Sequence, residues 1–154
     1  MMKKDKIVIF DLDGTLALID DRRDLSTKDN GKFDWDVFFN PDNINLDLPN
    51  QPVINMAKLL SFNFNIWVLS GRSGKTLNAT VKWLDDNDVP FDKILMRPTD
   101  KKSHFMPDNM LKFNWLLTKV DKNDVFAVFD DRNQVVDMWR DNGLTCFQVA
   151  DGDF

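Results

Sequence analysis

"IVIFDLDGT", Ile7 to Thr15, is the stretch whose reading decides the fold. Ile7 to Phe10 are apolar without alternation, the pattern of a strand buried on both faces in a parallel sheet. Asp11 and Asp13 follow, two carboxylates at i and i+2, and Gly14 turns the chain. Asp-Gly is a common turn dipeptide, so the stretch alone is compatible with a plain turn. A plain turn does not explain why a second acid pair, Asp130-Asp131, ends another hydrophobic strand, "DVFAVFD" (Asp124–Asp130).

Working outward, short apolar runs recur as strand candidates: "KIVIFDL" (Lys6–Leu12), "NIWVLSG" (Asn65–Gly71), "KILMRP" (Lys93–Pro98), Asp124–Asp130 and "TCFQVA" (Thr145–Ala150). Helical spacing fills the gaps. Pro52 opens a helix with Val53, Ile54, Ala57 and Leu60 on one side. Leu77, Val81 and Leu84 mark a second helix, and Met110, Phe113, Leu117 and Val120 a third. Val135, Val136 and Trp139 mark a fourth, ended by Gly143. Alternating strands and helices predict an α/β fold, a Rossmann-like three-layer sandwich around a central parallel sheet with right-handed crossovers. The chain reads as a single domain over residues 1–154 with a small insertion at about 17–50. That insertion is polar apart from the island "FDWDVFF" (Phe33–Phe39). It is expected to lie over the sheet's edge as a minimal cap.

Ligands of such sheets bind beyond the carboxyl ends of the strands. There stand Asp11 and Asp13, then Ser70, Gly71 and Arg72, then Arg97 and Pro98, then Asp130, Asp131 and Arg132. Two acid pairs at one rim suit a hard divalent cation with oxygen ligands. A carboxylate beside such a cation can attack phosphorus.

"LSGRSGKT" (Leu69–Thr76) imitates a nucleotide-binding phosphate loop, which needs G-x-x-x-x-G-K-[ST]. Gly71 and Gly74 enclose only Arg72 and Ser73, and Leu69 stands where the first glycine belongs. The spacing excludes that loop and leaves a Ser hydroxyl and loop amides aimed at one phosphoryl group.

The formal net charge of -5 argues against a basic nucleic-acid coat, although a local basic pocket remains compatible with it. One cysteine, Cys146, excludes an internal disulfide and a multi-cysteine zinc cage. No stretch is apolar and long enough to span a membrane, and the apolar run at Ile7–Phe10 is too short for a signal peptide. A cytoplasmic protein is expected. Thirteen Phe and five Trp accompany no Tyr, which has no functional reading.

Asp11-x-Asp13-Gly14-Thr15, Ser70-Gly71-Arg72, Lys112 and Asp130-Asp131 together resemble the four motifs of the haloacid dehalogenase (HAD) phosphohydrolases. "VIFDLDGTLA", "SGR", "PDNMLK" and "FDDRNQVVDMWRDNGLTCFQVADGDF" more narrowly resemble the 3′-phosphatase domain of bacteriophage polynucleotide kinase/phosphatase. The resemblance implies Asp11 as nucleophile, forming an aspartyl-phosphate, and Asp13 as general acid and then general base. It implies Mg²⁺ on Asp11, the Asp13 main-chain carbonyl and an acid of Asp130/Asp131. Ser70 and Lys112 would bind phosphoryl oxygens. Arg22 and Arg72 stand where this subfamily contacts substrate, and Asp108 matches an acid four residues before its lysine.

Other candidates are judged on position. Thr15, Gly71, Arg97 and Arg132 belong to the expected substrate-binding set. Asp108 and Lys112, read without the family, would be an ordinary i, i+4 surface pair. Lys75 and Arg132 have the bland reading of helix-start residues, His104 that of a surface residue and Cys146 that of a core residue. The leading expectation is a Mg²⁺-dependent phosphatase acting on 3′-phosphate ends of DNA or RNA. The alternatives are a phosphatase of nucleoside monophosphates or other small esters, and a noncatalytic module binding nucleic-acid ends.

Overall fold

The computed structural model describes residues 4–154. Its central sheet has five strands: β1 (Ile7–Phe10), β4 (Asn65–Ser73), β5 (Lys93–Arg97), β6 (Val125–Asp130) and β7 (Cys146–Gln148). Their spatial order is β5-β4-β1-β6-β7, and every pairing is parallel. β1 is central. Its Ile7 lies opposite Asn65 on one side and Val125 on the other. A strand enclosed in this way must be apolar on both faces, and all four of its residues are buried.

Helices cover the two faces. On one, α3 (Gln51–Leu60) and α4 (Leu77–Asp86) bury Ile54, Ala57, Trp83 and Leu84 against Val8, Phe10 and Val68. On the other, α6 (Asp108–Thr118) and α7 (Asn133–Asp141) bury Leu111, Trp115, Val136 and Trp139 against Ile7, Ile9 and Leu69. Phe10, Phe129 and Phe147 form a stack across three strands, with ring centroids 4.6 and 5.0 Å apart. Gly143 (φ +82) ends α7 in a left-handed conformation, as the sequence predicts.

The apolar face expected for α6 is corrected. Met110, Phe113 and Leu117 are exposed, while Leu111, Lys112, Trp115 and Leu116 are buried. The helix carries apolar residues around most of its circumference, and the lysine on its buried face disguised that face as the outer one.

The segment between Ala17 and Pro49 is closed at its base by a short antiparallel ribbon, β2 (Ala17–Leu18) with β3 (Leu48–Pro49). Between them run α1 (Asp20–Ser26), α2 (Trp35–Phe38) and a 3₁₀ turn, Pro41–Leu46. The segment leaves from the carboxyl end of β1, so its aromatic island lines the same cavity as Asp11 and Asp13 and does not lie over the sheet's edge. At the other end of the chain, Gly152 is pressed against the turn after β6. A Cβ there would sit 1.8 Å from the Asp131 carbonyl oxygen, and the Gly152 carbonyl accepts from the Asn133 N–H at 2.9 Å. Among the described residues no helix is long and apolar enough to cross a membrane.

Candidate active site

Asp11 is the first residue beyond β1 and is 7% exposed. Its N–H still donates to the Phe129 carbonyl at 2.9 Å, so the sheet fixes its backbone. Its Oδ1 accepts from Lys112 Nζ at 2.7 Å and its Oδ2 from Thr15 Oγ1 at 3.1 Å. Lys112 rises from α6 and also donates to Asp130 Oδ2 at 3.0 Å. The Trp139 indole N–H donates to that same oxygen at 3.2 Å, and the Asp131 N–H donates to Asp130 Oδ1 at 2.9 Å. Both oxygens of Asp130 are thus engaged. Asp131 packs against Gly14 (φ +83), where a Cβ would meet Asp131 Oδ2 at 2.1 Å. Only glycine fits that turn.

Carboxylate oxygens of Asp11, Asp130 and Asp131 lie within 4.8 Å of one another, and all three residues are buried. Burial, then repulsion from Asp130, raises the Asp11 carboxyl well above the usual range, with Lys112 opposing. Burial and Asp130 likewise raise Asp131. Burial would lower the Lys112 ammonium, but Asp11 and Asp130 outweigh it and push it up. One ammonium among three buried carboxylates leaves an uncompensated negative cluster of oxygen donors, a set that fits a hard divalent cation.

Asp13 belongs to a different network. Its Oδ1 accepts from Arg22 Nη2 at 2.9 Å and from Arg72 Nε at 2.8 Å. Asp47 completes a square, its Oδ1 on Arg22 Nε at 2.9 Å and its Oδ2 on Arg72 Nη2. Arg22 further donates to the Phe38 carbonyl and packs over the Phe38 ring, 4.2 Å from its centroid. Arg72 donates to Thr80 Oγ1 at 3.1 Å. Burial would raise Asp13, but Arg72 and Arg22 together hold it below the usual carboxylate range. At Asp47 burial prevails over the same two arginines and raises the carboxyl.

A third cluster flanks the cavity. Arg97 donates to the carbonyls of Gly71 (2.9 Å), Ser103 and Met106 (both 2.6 Å) and pairs with Asp108. Arg132 reaches the other Asp108 oxygen at 3.2 Å. Gly71 gives Asp108 its room, since a Cβ there would lie 2.5 Å from Oδ1. Ser70 is buried and accepts from the Arg72 N–H at 3.1 Å.

A cavity of about 730 Å³ thus gathers Asp11, Asp13, Lys112, Asp130 and Asp131, with Gly71, Arg72, Arg97, Asp108 and Arg132 also on its wall. Thr15, Ser70 and Arg22 stand behind that wall on the residues that line it. The side chains of Arg22 and Arg72, expected to reach substrate, are 0% exposed and turned onto Asp13 and Asp47. Asp47 escaped the sequence reading: a lone acid in a polar stretch has no local signature. Cys146 is a buried free thiol, pushed up to about 12 mainly by burial. His104 is exposed at the cavity mouth.

Residues 5–154 match the family model of the polynucleotide kinase PNKP phosphatase domain. A protein of Autographa californica nuclear polyhedrosis virus, named as a bifunctional polynucleotide kinase/RNA ligase, is 34% identical over 150 residues, covering 94% of this chain and 19% of its own. The solved Pnkp1/Rnl/Hen1 complex contains a chain 35% identical with TM-score 0.78, covering 97% of this chain and 47% of that one. The chain therefore spans about a fifth of the viral relative and about half of the structural one. A HAD family enzyme from Bacteroides thetaiotaomicron, solved with magnesium and inorganic phosphate, is 13% identical with TM-score 0.59, covers 97% of this chain and 96% of its own, and shares the fold.

Proposed function

Because the chain belongs to the polynucleotide kinase PNKP phosphatase domain family of HAD phosphatases, we propose that it removes 3′-phosphates from polynucleotide ends through an aspartyl-phosphate on Asp11. The observation that carries this reading is the pairing of a buried Asp11, held by Lys112 and Thr15, with an Asp13 held separately by two arginines in the same cavity.

An Asp11 oxygen attacks phosphorus, and the bond from phosphorus to the 3′-oxygen breaks. Asp13 gives its proton to that oxygen, freeing a 3′-hydroxyl end. Water then attacks the aspartyl-phosphate and passes a proton to Asp13, releasing inorganic phosphate and restoring Asp11. Lys112 favours the ionised form of Asp11 against burial and Asp130, and it offsets charge on the phosphoryl oxygens. Arg22 and Arg72 act through Asp13 by fixing its carboxylate, and Arg97 and Arg132 fix Asp108 at the cavity wall. Asp11, Asp131 and the Asp13 main-chain carbonyl would hold Mg²⁺. Asp130, with both oxygens already accepting from N–H groups, positions Lys112. The bound ion would withdraw charge from the phosphoryl group and lessen its repulsion by Asp11. The segment at about 17–50 serves as a small cap on a single domain. We place the activity in the cytoplasm, where a lone thiol stays reduced.

Phosphate release from a panel of oligonucleotides tests this. A 3′-phosphorylated strand should be hydrolysed, a 5′-phosphorylated strand should not, and Asp11→Asn should fold yet be inactive on both. Preference for the 5′-phosphate, or near-parental turnover by folded Asp11→Asn, would sink the reading.

A further inference from the structure

A second cavity, of about 630 Å³, adjoins the active-site cavity. Trp35, Phe39, Arg97, His104 and Phe105 line both, so the two lie side by side with these residues in common. Each part lies within the range of about 300–1,000 Å³ typical of ligand sites. The catalytic residues occupy only the first.

The second part has a chemistry of its own. Lys75, the lysine of the Gly-Lys-Thr that holds no triphosphate, lines it together with Lys101. Among the described residues neither ammonium lies in an ion pair. Asp36 is the opposing carboxylate on this wall. Asp100, next to Lys101, is occupied in capping its own helix through Ser103. Between the two parts stand Trp35 and Phe105, 55% and 77% exposed. Trp35 is backed by Phe39, stacked at 5.6 Å, and Phe105 by His104 at 4.7 Å. Large exposed aromatic rings are costly in water, and these two flank a passage leading away from a phosphate-cleaving carboxylate.

Aromatic faces alternating with unpaired cations are the means by which proteins hold single-stranded nucleic acid irrespective of sequence. We infer that the second cavity is the track for the strand upstream of its 3′-phosphate: Trp35 and Phe105 stack the terminal bases, and Lys75 and Lys101 hold the first internucleotide phosphate. This rests on the 3′-phosphatase reading above and extends it to a single-stranded end of at least two nucleotides.

The test compares a 3′-phosphorylated trinucleotide with a nucleoside 3′-monophosphate, which offers no second phosphate or base. The parent should prefer the trinucleotide by more than tenfold in kcat/KM. The exposed double variant Lys75→Ala/Lys101→Ala should lose about tenfold on the trinucleotide and nothing on the mononucleotide. Its log kcat/KM against log salt should flatten by about 0.7 for the lost phosphate contact. Phe105→Ala should lose about five- to a hundredfold on the trinucleotide alone. Equal losses on both substrates, or none on either, would overturn the track. A parent that hydrolyses the two substrates equally well overturns the track and leaves the 3′-phosphatase reading standing. A parent that cleaves aryl phosphate but neither nucleotide substrate overturns both.

Discussion

Two guanidinium groups on one carboxylate hold the Asp13 proton loosely, and that sets how the first half of the reaction should depend on pH. A 3′-oxygen is a poor leaving group without a proton, and in the proposed reaction Asp13 supplies it. A lowered pKa means that the protonated fraction is already small near neutrality and falls tenfold with each further pH unit. In saturating Mg²⁺, whose charge would hold Asp11 ionised, turnover of a 3′-phosphate under kcat/KM conditions should therefore decline from about pH 5 to pH 8. p-Nitrophenyl phosphate, whose leaving group needs no proton, should decline far less. Arg72→Lys, which loses the planar two-nitrogen hold on Asp13, should let the pKa rise and move the 3′-phosphate profile toward higher pH. Parallel profiles for the two substrates would remove the acid role from Asp13. At this scale the sequence was legible where chemistry and fold coincide: an acid pair ending a buried strand has no structural excuse. Lys112 was legible only through resemblance. Four residues from Asp108 it looked like half of a surface pair, yet it is buried on Asp11 and Asp130 while Asp108 pairs with Arg97 and Arg132.

Among elements, the Asp47 square fastens the Ala17–Pro49 segment to the sheet. Arg22 comes from α1, Asp47 from the approach to β3 and Arg72 from the end of β4. The Trp83 indole of α4 adds a hydrogen bond to the Asp47 carbonyl at 2.9 Å. Removing one partner of a buried ion pair strands the others, at about 3–5 kcal/mol. Asp47→Ala should lower unfolding stability in urea by that amount, whereas Asp47→Asn, keeping the shape and accepting one hydrogen bond, should lose less. A loss under about 0.5 kcal/mol for Asp47→Ala would show that the segment is held by its apolar contacts alone. None of this was visible in sequence, because the partners lie 25 residues to either side and nothing local marks them. The strands were legible because a run buried on both faces is apolar throughout. The faces of α3 and α7 were legible because polar residues bound their stripes. The face of α6 was not, for want of such a boundary.

For the molecule as a whole, the acid cluster ties stability to pH and, with the proposed Mg²⁺, should tie it to divalent ions. Asp11 and Asp131 have folded pKa values above their unfolded ones, so their carboxyls favour the folded state at low pH, and that stability is lost as pH rises through the folded values. Asp13 runs the other way, stabilising above its unfolded pKa and losing that stability as pH falls. In chelator, Asp131→Asn should therefore raise the melting temperature near pH 7.5. Mg²⁺ at about a hundred times its Kd should raise the parent by about 5–10 °C, more at pH 7.5 than at pH 5, and should leave Asp131→Asn nearly unmoved. Differential scanning fluorimetry measures all of these, and an equal Mg²⁺ response in the variant would remove Asp131 from the ion's ligands. The central place of β1 has a consequence for how such a chain is made. Ile7 waits for Asn65 on one side and for Val125 on the other. While the ribosome is still adding the residues between β4 and β6, β1 has one hydrogen-bonding edge bare, and long-range pairing of this kind is slow and exposed to aggregation. Asp11, the proposed nucleophile, is synthesised well before its surroundings, which are complete only once β6 has emerged.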